Sequence, residues 1–538
     1  MPRPPLRARR TAAALSVALA ACASVPSPTP GDAASTAGGP PAAGTGSACA
    51  TLAAALDAAV SRAGVRDAQD TPVAGAPWLR VDRFEASLAD ATTDATRAAT
   101  WLERLRARDA AARRVEIANL PPDALRTVSA LPPATPREAP GRAPASGLDA
   151  APGADPVRAA LHAEVERCGR AYVARLGEDP AALATIRAAA RVPDDYVDWQ
   201  RVLGLYPLTA LPFAAGVRRE EAAMRAAFAA GAPDVARDAR LVAPAAQADD
   251  LRSVPQPPPR DALGVPRLDP RQQAALLAAH APVYALAGHG ADDRFGELAW
   301  GAADRAEVDG ARPAVYGRVA FTRWQGTVRV QLVYTAWFPR RPPAGAFDPI
   351  AGHLDGVTVR LTLDDSGAIA MVDSIHACGC WHLFVPVGPL RARPSPARLD
   401  EWAFVPQRLD TVPPGARVRV RIAARTHALE GVDAVDARGV AADAGYRLLD
   451  DDALRSLPVG EGRRRSLFDA RGRVPGTERA ERWLFWPMGI ADAGSMRQWG
   501  RHATAFVGRR HFDEPDLLER RFEPSPDARV PAADGAAD

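Results

Sequence analysis

The run Asp373-Ser374-Ile375-His376-Ala377-Cys378-Gly379-Cys380-Trp381-His382 holds the densest chemistry in this chain of 538 residues. Imidazoles and thiols alternate here at every second position. His376, Cys378, Cys380 and His382 therefore admit three uses: a zinc or copper(I) site, a short-loop redox disulfide, or structural hydrogen bonding. On an extended strand, period two puts all four on one face and leaves Met371, Ile375, Ala377, Trp381, Leu383 and Val385 as a core face. A straight strand holds the outer histidines about 20 Å apart, whereas zinc ligands converge to about 2.0–2.3 Å from the ion. A four-ligand site thus requires a sharp bend, and Gly379 is the residue suited to make one. Without the bend, the two cysteines and one histidine could share a metal with a ligand from elsewhere.

Six of the nine histidines lie from His353 onward, which makes His353, His427, His502 and His511 candidates for further ligands. If His427 or His502 stood near the cysteine pair, a metal with an open position could activate water, with Asp355 or Asp373 as general base. Arg497, Arg501, Arg509 and Arg510, interleaved with Trp499, His502 and His511, could form a phosphate or carboxylate pocket, or simply a solvated face.

The basic residues contain no lysine, which removes Walker-type phosphate loops, Schiff-base enzymes and Ser-Lys acyl transferases. No His-Glu-x-x-His helix, Gly-x-Ser-x-Gly elbow or EF-hand loop is present, and nothing indicates a nucleotide cofactor. A formal net charge of +3 gives no reason to expect a nucleic-acid partner.

The elements that must position these groups follow from the N-terminus. Arg3, Arg7, Arg9 and Arg10 precede an uncharged stretch from Thr11 to Ala21, the layout of a secretory signal, and Leu19-Ala20-Ala21-Cys22 fits the lipobox after which Cys22 is lipidated. Residues 1–21 are thus read as signal and the protein as anchored outside the cytoplasm; Ala rather than Asp at residue 23 favours the outer membrane. No later segment reaches the roughly 18 apolar residues of a membrane span. Residues 22–48 are too poor in large apolar side chains to order themselves and read as a tether.

Residues 49–231 show helical spacing. Phe84, Leu88, Ala91, Ala95, Ala98, Leu102 and Leu105 fit one long stripe, and Asp155-Pro156 opens a second helix that Gly177 stops. An Ala-rich helix is expected over Arg218–Ala230. A Pro-rich linker spans 232–268. Across 269–525 the period becomes two, in Val328–Tyr334, Val357–Leu363 and Val418–Ile422, with Asp364-Asp365-Ser366-Gly367 as a hairpin turn. The fold class is therefore α+β: an N-terminal helical bundle followed by a mainly antiparallel sandwich or curved sheet, with a disordered tail at 526–538. Cys49 and Cys168 are natural disulfide partners in an oxidising compartment, the alternative being two separate core thiols.

Tyr334-Thr335-Ala336-Trp337-Phe338-Pro339, Ala351-Gly352-His353-Leu354-Asp355-Gly356, the His376–His382 motif and the block Met496–Phe512 resemble a family of uncharacterised proteobacterial lipoproteins or membrane-associated proteins. The resemblance covers roughly residues 270–520. It agrees with a membrane address and implies no catalytic assignment. Three functional classes stay open: an envelope protein with a metal site, a metal-dependent periplasmic hydrolase, and a binding or scaffolding lipoprotein with a structural or redox Cys-x-Cys motif. Expected partners are the membrane, through the lipid, and an envelope protein or small anionic ligand.

Overall fold

The computed structural model describes residues 45–131, 155–230, 239–245, 254, 257–397, 399–436 and 439–525. The signal segment, Cys22 and the tail at 526–538 lie outside them. So does most of the tether, but its last four residues belong to the first helix, α1 (Thr45–Ala63).

Among the larger helices, α2 (Ala95–Asn119) begins later than its apolar stripe suggests. Asp94 takes extended backbone and accepts from the Arg97 N–H, capping the helix there. Phe84 and Leu88 instead belong to a separate short helix and the turn after it. A side-chain cap satisfies orphan N–H groups at a helix start, so it ends the stripe even where apolar spacing continues. The next helix, α3 (Pro156–Gly177), forms as its punctuation requires, with Asp155 accepting from the Val157 N–H. Cys168 on α3 is disulfide-bonded to Cys49 on α1. Leu52, Leu56 and Val60 pack around it with Ile117, Leu161 and Val165. Two further helices, α4 (Asp198–Leu203) and α5 (Tyr206–Ala230), form a hairpin, α5 starting a dozen residues before the expected Arg218. The last long helix is α6 (Pro270–His280).

Ten strands make one sheet: β1 (Arg240–Pro244), β2 (Val283–Leu286), β3 (Ala314–Trp324), β4 (Thr327–Arg341), β5 (Gly352–Leu363), β6 (Ile369–His376), β7 (Leu383–Pro386), β8 (Ala416–Ile422), β9 (Leu429–Asp436) and β10 (Ala444–Asp450). Their order is β7-β6-β5-β4-β3-β10-β1-β2-β8-β9, antiparallel except for β3–β10, β10–β1 and β2–β8. The expected linker at 232–268 is corrected by β1, which sits inside the sheet between β10 and β2.

The sheet curls until its two ends nearly meet, and residues 404–409 bridge them. The Phe384 N–H donates to the Phe404 carbonyl and the Leu409 N–H to that of Pro386, while Gln407 bonds both backbone groups of Val432 on β9. Covering both edges removes the unpaired backbone groups an open sheet would expose. Val385 of β7 and Val432 of β9 accordingly share one interior cluster with Leu332, Tyr334 and Val359.

The outer face is buried too. Trp337 of β4 packs there with Leu454 and Met496, and Met371 of β6 with Leu517 and Phe522. Val328, at the start of β4, joins a cluster with Trp101 and Leu102 of α2, and Arg455, from a turn after β10, pairs with Asp67, both fully buried. The helical and β parts therefore share cores, which is more than two bodies on a linker would do.

The Cys49–Cys168 bridge closes 119 residues of sequence. In the chain-entropy model a loop of that size stabilises by about 4–5 kcal/mol. Urea denaturation of a Cys49→Ala, Cys168→Ala variant should show a loss of that order; an unchanged midpoint would show that the bridge constrains nothing.

Candidate functional site at the Cys378–Cys380 turn

The His376–His382 motif is not one straight strand. β6 ends at His376, and the chain reverses through 377–380, with the Gly379 N–H donating to the His376 carbonyl and the His376 N–H to that of Cys380. Gly379 has φ 90° and Trp381 φ 56°, an uncommon backbone region for a bulky side chain. A Cβ on Gly379 would lie 2.6 Å from the Ala503 carbonyl oxygen, so glycine is required by contact as well as by φ.

The bend brings the two cysteines together and sends the histidines apart. The sulfurs of Cys378 and Cys380 are 2.7 Å apart. Cross-strand partners share a face, and Ser374 pairs with Leu383, so the turn exchanges odd and even positions between faces. His376, opposite Val357, points to the barrel interior. His382 lies on the outer face with Asp373 and Phe384. The expected core face is split likewise, Leu383 and Val385 inward and Met371 outward. The four donors of the motif do not share one side, and both sides are buried.

Each histidine is held by its own buried carboxylate. On the outer face Arg360 donates to both oxygens of Asp373, at 3.0 and 2.5 Å, and His382 Nε2 lies 2.8 Å from Oδ2. Burial alone would push the Asp373 carboxyl up, but Arg360 and the His382 bond hold it below its usual range. Burial drives His382 down to about 3, so it is neutral. On the inner side Asp355 accepts from His427 Nδ1 at 2.8 Å and from Arg479 at 3.3 Å, with His376 Nδ1 at 3.7 Å. The His427 ring stacks on Phe338, centroids 4.0 Å apart. Burial again opposes ionisation of Asp355, yet Arg479 and the two imidazoles hold it well below the carboxylate range. Both candidate general bases are thus fully committed ions.

The other sequence candidates scatter. His353 bonds the Ala306 carbonyl at 2.8 Å, and His511 pairs with Asp194 at 3.2 Å. His502 lines a cavity of about 20 Å³ with Thr335, Trp337, Thr358, Ala377 and Arg497, room for about one water. The four arginines do not converge on an anion pocket. Arg497 donates to the carbonyls of Ala491, Asp492 and Arg501, and Arg501 to that of Ala68. Arg509 pairs with Asp194 and Asp198, while Arg510 bonds carbonyls of Glu401, Trp402 and Thr504. Guanidiniums here tie loops down.

Two charged groups beside the cysteines have no counterpart in the sequence candidates. The field of Arg479 reaches both thiols, and Glu481, buried and pushed up to about 7 chiefly by that burial, acts on Cys380. Hydrogen bonding to Cys378, then burial, pushes the Cys380 thiol well above its ordinary range. Cys380 is half-buried and Cys378 buried. Among the described residues no three of His, Cys, Asp and Glu stand together as a set able to hold a metal ion. The turn thus places two thiols side by side, with Arg479 and Glu481 as their charged neighbours.

No family model, curated protein or solved structure matches this chain. The functional reading therefore rests on its own residues.

The buried histidines set a pH dependence. Burial, with Arg497 next, lowers His502 to about 4, against about 6.5 in an unfolded chain. The folded imidazole stays neutral while the unfolded one takes up a proton, so its contribution is full above pH 6.5 and is lost as pH falls toward 4. At pH 5 the loss is about 2 kcal/mol. Unfolding free energies at pH 7 and 5 should fall by that much more in the parent than in a His502→Gln variant; equal falls would show that His502 titrates normally.

Proposed function

We propose that this chain is a lipid-anchored protein of the bacterial cell envelope, held through Cys22 at the outer membrane, whose working group is the Cys378–Cys380 pair cycling between dithiol and disulfide. The observation that carries this reading is the 2.7 Å sulfur separation in a turn where Cys380 is only partly buried. Two thiolates on one tetrahedral zinc, each about 2.3 Å from the ion, stand well over 3 Å apart. The lipobox supports an oxidising compartment, as does the Cys49–Cys168 disulfide.

The exchange is balanced by a partner dithiol from another envelope protein. A partner thiolate attacks the sulfur of Cys380, the Cys378–Cys380 bond breaks, and the partner's second thiol closes its own disulfide; two protons pass from the partner's thiols to Cys378 and Cys380. The reverse reaction oxidises Cys378 and Cys380. The Cys380 thiol, pushed up by hydrogen bonding to Cys378 and by burial, gives little thiolate at neutral pH, so the pair is suited to act as the disulfide that a partner thiolate attacks rather than as the attacking nucleophile. Glu481, pushed up to about 7, is suited to exchange the proton that a Cys380 thiolate gains or gives up. Arg479 opposes the loss of negative charge at the sulfurs and keeps exchange accessible.

Protein purified from the envelope should carry the Cys378–Cys380 peptide two mass units below its dithiol, modified by maleimide only after reduction. It should exchange with a dithiol peptide, and Cys380→Ser should abolish exchange. Elemental analysis of the same sample, beside a Cys378→Ser, Cys380→Ser variant, separates the alternatives. Near-stoichiometric zinc or copper that the variant loses would replace this reading with a metal site. A reduced, metal-free, unreactive pair would leave a structural motif.

A further inference from the structure

The hairpin of α4 and α5 carries apolar side chains that the fold does not use. Val202, Leu203, Leu205 and Leu208 stand 60–71 % exposed, and Trp199 56 %. Trp483, 69 % exposed, precedes Phe485 and Trp486, the residues of its segment that meet the hairpin. Trp199 packs edge-on against Trp486, centroids 5.6 Å apart, and Phe213 lies 5.4 Å from Phe485. Gly204 lies so close to Pro487 that a Cβ would fall 2.6 Å from its Cα. Of eleven large apolar side chains that stand exposed among the described residues, eight fall in these two segments. Scattered exposure needs no explanation, whereas a contiguous patch marks a surface that something covers.

We infer that this patch is a membrane-docking surface, seated in the headgroup and upper acyl region of the bilayer that the N-terminal lipid reaches. The inference rests on the lipid-anchor reading. The sixteen residues from Val202 to Val217 contain no charged side chain, fewer than the roughly 20 needed to span, and no helix among the described residues is long and apolar enough to cross a membrane. A stretch of this length is either a buried core helix or an interfacial segment. One face, with Ala210, Ala214 and Val217, is buried in the fold, while Val202, Leu203, Leu205, Leu208 and Leu211 stand exposed on the other, and that uncharged exposed face has the character of an interfacial segment.

The chemistry suits the second. Leu and Val side chains form the exposed face, Trp199 of α4 packs against Trp486, and Arg482 lies 4.9 Å over the Trp483 ring in the segment that Trp486 follows, the aromatic and basic character that membrane interfaces favour. Thr209 returns its hydroxyl to the Gly204 carbonyl at 3.1 Å, so it presents no unsatisfied donor to lipid. The chain between Cys22 and Thr45 leaves over twenty residues for a lipidated N-terminus to reach the same bilayer. Tethering raises the local concentration of membrane, so a shallow patch suffices to fix orientation. Beneath the patch, Phe213 and Phe485 pack on the same buried cluster as Cys380 and Trp381, so docking would place the cysteine turn on the membrane-facing side of the fold.

The test uses a chain that begins at Ala23, keeping every described residue but lacking lipid, with vesicles of phosphatidylethanolamine and phosphatidylglycerol at 3:1. The parent should float with vesicles and its tryptophan fluorescence should be quenched by brominated lipid, less so in Trp199→Phe, Trp483→Phe. A Leu203→Asp, Leu208→Asp variant with unchanged melting temperature should partition at least tenfold more weakly. A parent that stays with the soluble fractions overturns the inference; so does one that runs as a dimer which the aspartates dissociate, since the patch then belongs to a second copy. The anchor is judged separately, by membrane fractionation of full-length protein and its Cys22→Ser variant, so either idea can fail alone.

Discussion

Asp373 is the charge on which the C-terminal half is organised. It lies fully buried, and an isolated carboxylate there would cost several kcal/mol. Arg360 meets that cost from the neighbouring strand, and its remaining nitrogen donates to the Phe512 carbonyl at 2.5 Å while its guanidinium lies 3.8 Å from the Phe512 ring centroid. One ion pair thus draws the block Met496–Phe512 onto the sheet. That block places the Ala503 carbonyl against Gly379, and the Arg497 N–H donates to the Ala377 carbonyl at 2.8 Å. The cysteine turn is held between its own strand and the block Asp373 recruits.

Much of this was legible in the chain. The hairpin turn at Asp364–Gly367 forms, with Asp364 accepting from Ser366 and Ala368 N–H groups; counting outward from it would put Arg360 opposite Val372, and a bulge between Ile369 and Met371 shifts the register by one to bring Arg360 opposite Asp373. Asp155-Pro156 opens its helix, and Cys49 and Cys168 are bonded. The α+β class holds, with helices first and a curved sheet after.

What was not legible depended on the reversal after His376. Period two assumes an extended chain, and with one buried face it separates core from functional side chains. Here both faces are buried, so alternation distinguishes interior from outer core instead. The turn also flips the count, which is why Leu383 faces inward and Met371 outward. Arg479 and Glu481 reach the cysteines from a segment a hundred residues away, a long-range placement that carries no local pattern. The hairpin at Val202–Val217 had a signal in its run of uncharged residues, but its exposure could not be read from spacing.

The absence of lysine gives these placements a common physical basis. Arginine is the only long cation available, and a guanidinium can stay ionised in a core because its planar fork satisfies several acceptors at once. Arg80 bonds Asp109 at 3.2 Å, Glu116 at 2.7 Å and the Asp67 carbonyl, and Arg455 pairs with that same Asp67. Arg83 joins Asp195 to Asp513, both at 3.0 Å. Arg455–Asp67 and Arg83–Asp513 connect residues 388 and 430 positions apart, so the helical part holds to the C-terminal half through buried charge as well as apolar contact. Removing one partner leaves the other unpaired, a loss of about 3–5 kcal/mol, which makes each such contact specific as well as strong. The apolar surface left on the α4–α5 hairpin is then a surplus that internal packing does not use, and it lies beside the buried cluster on which Cys380 packs.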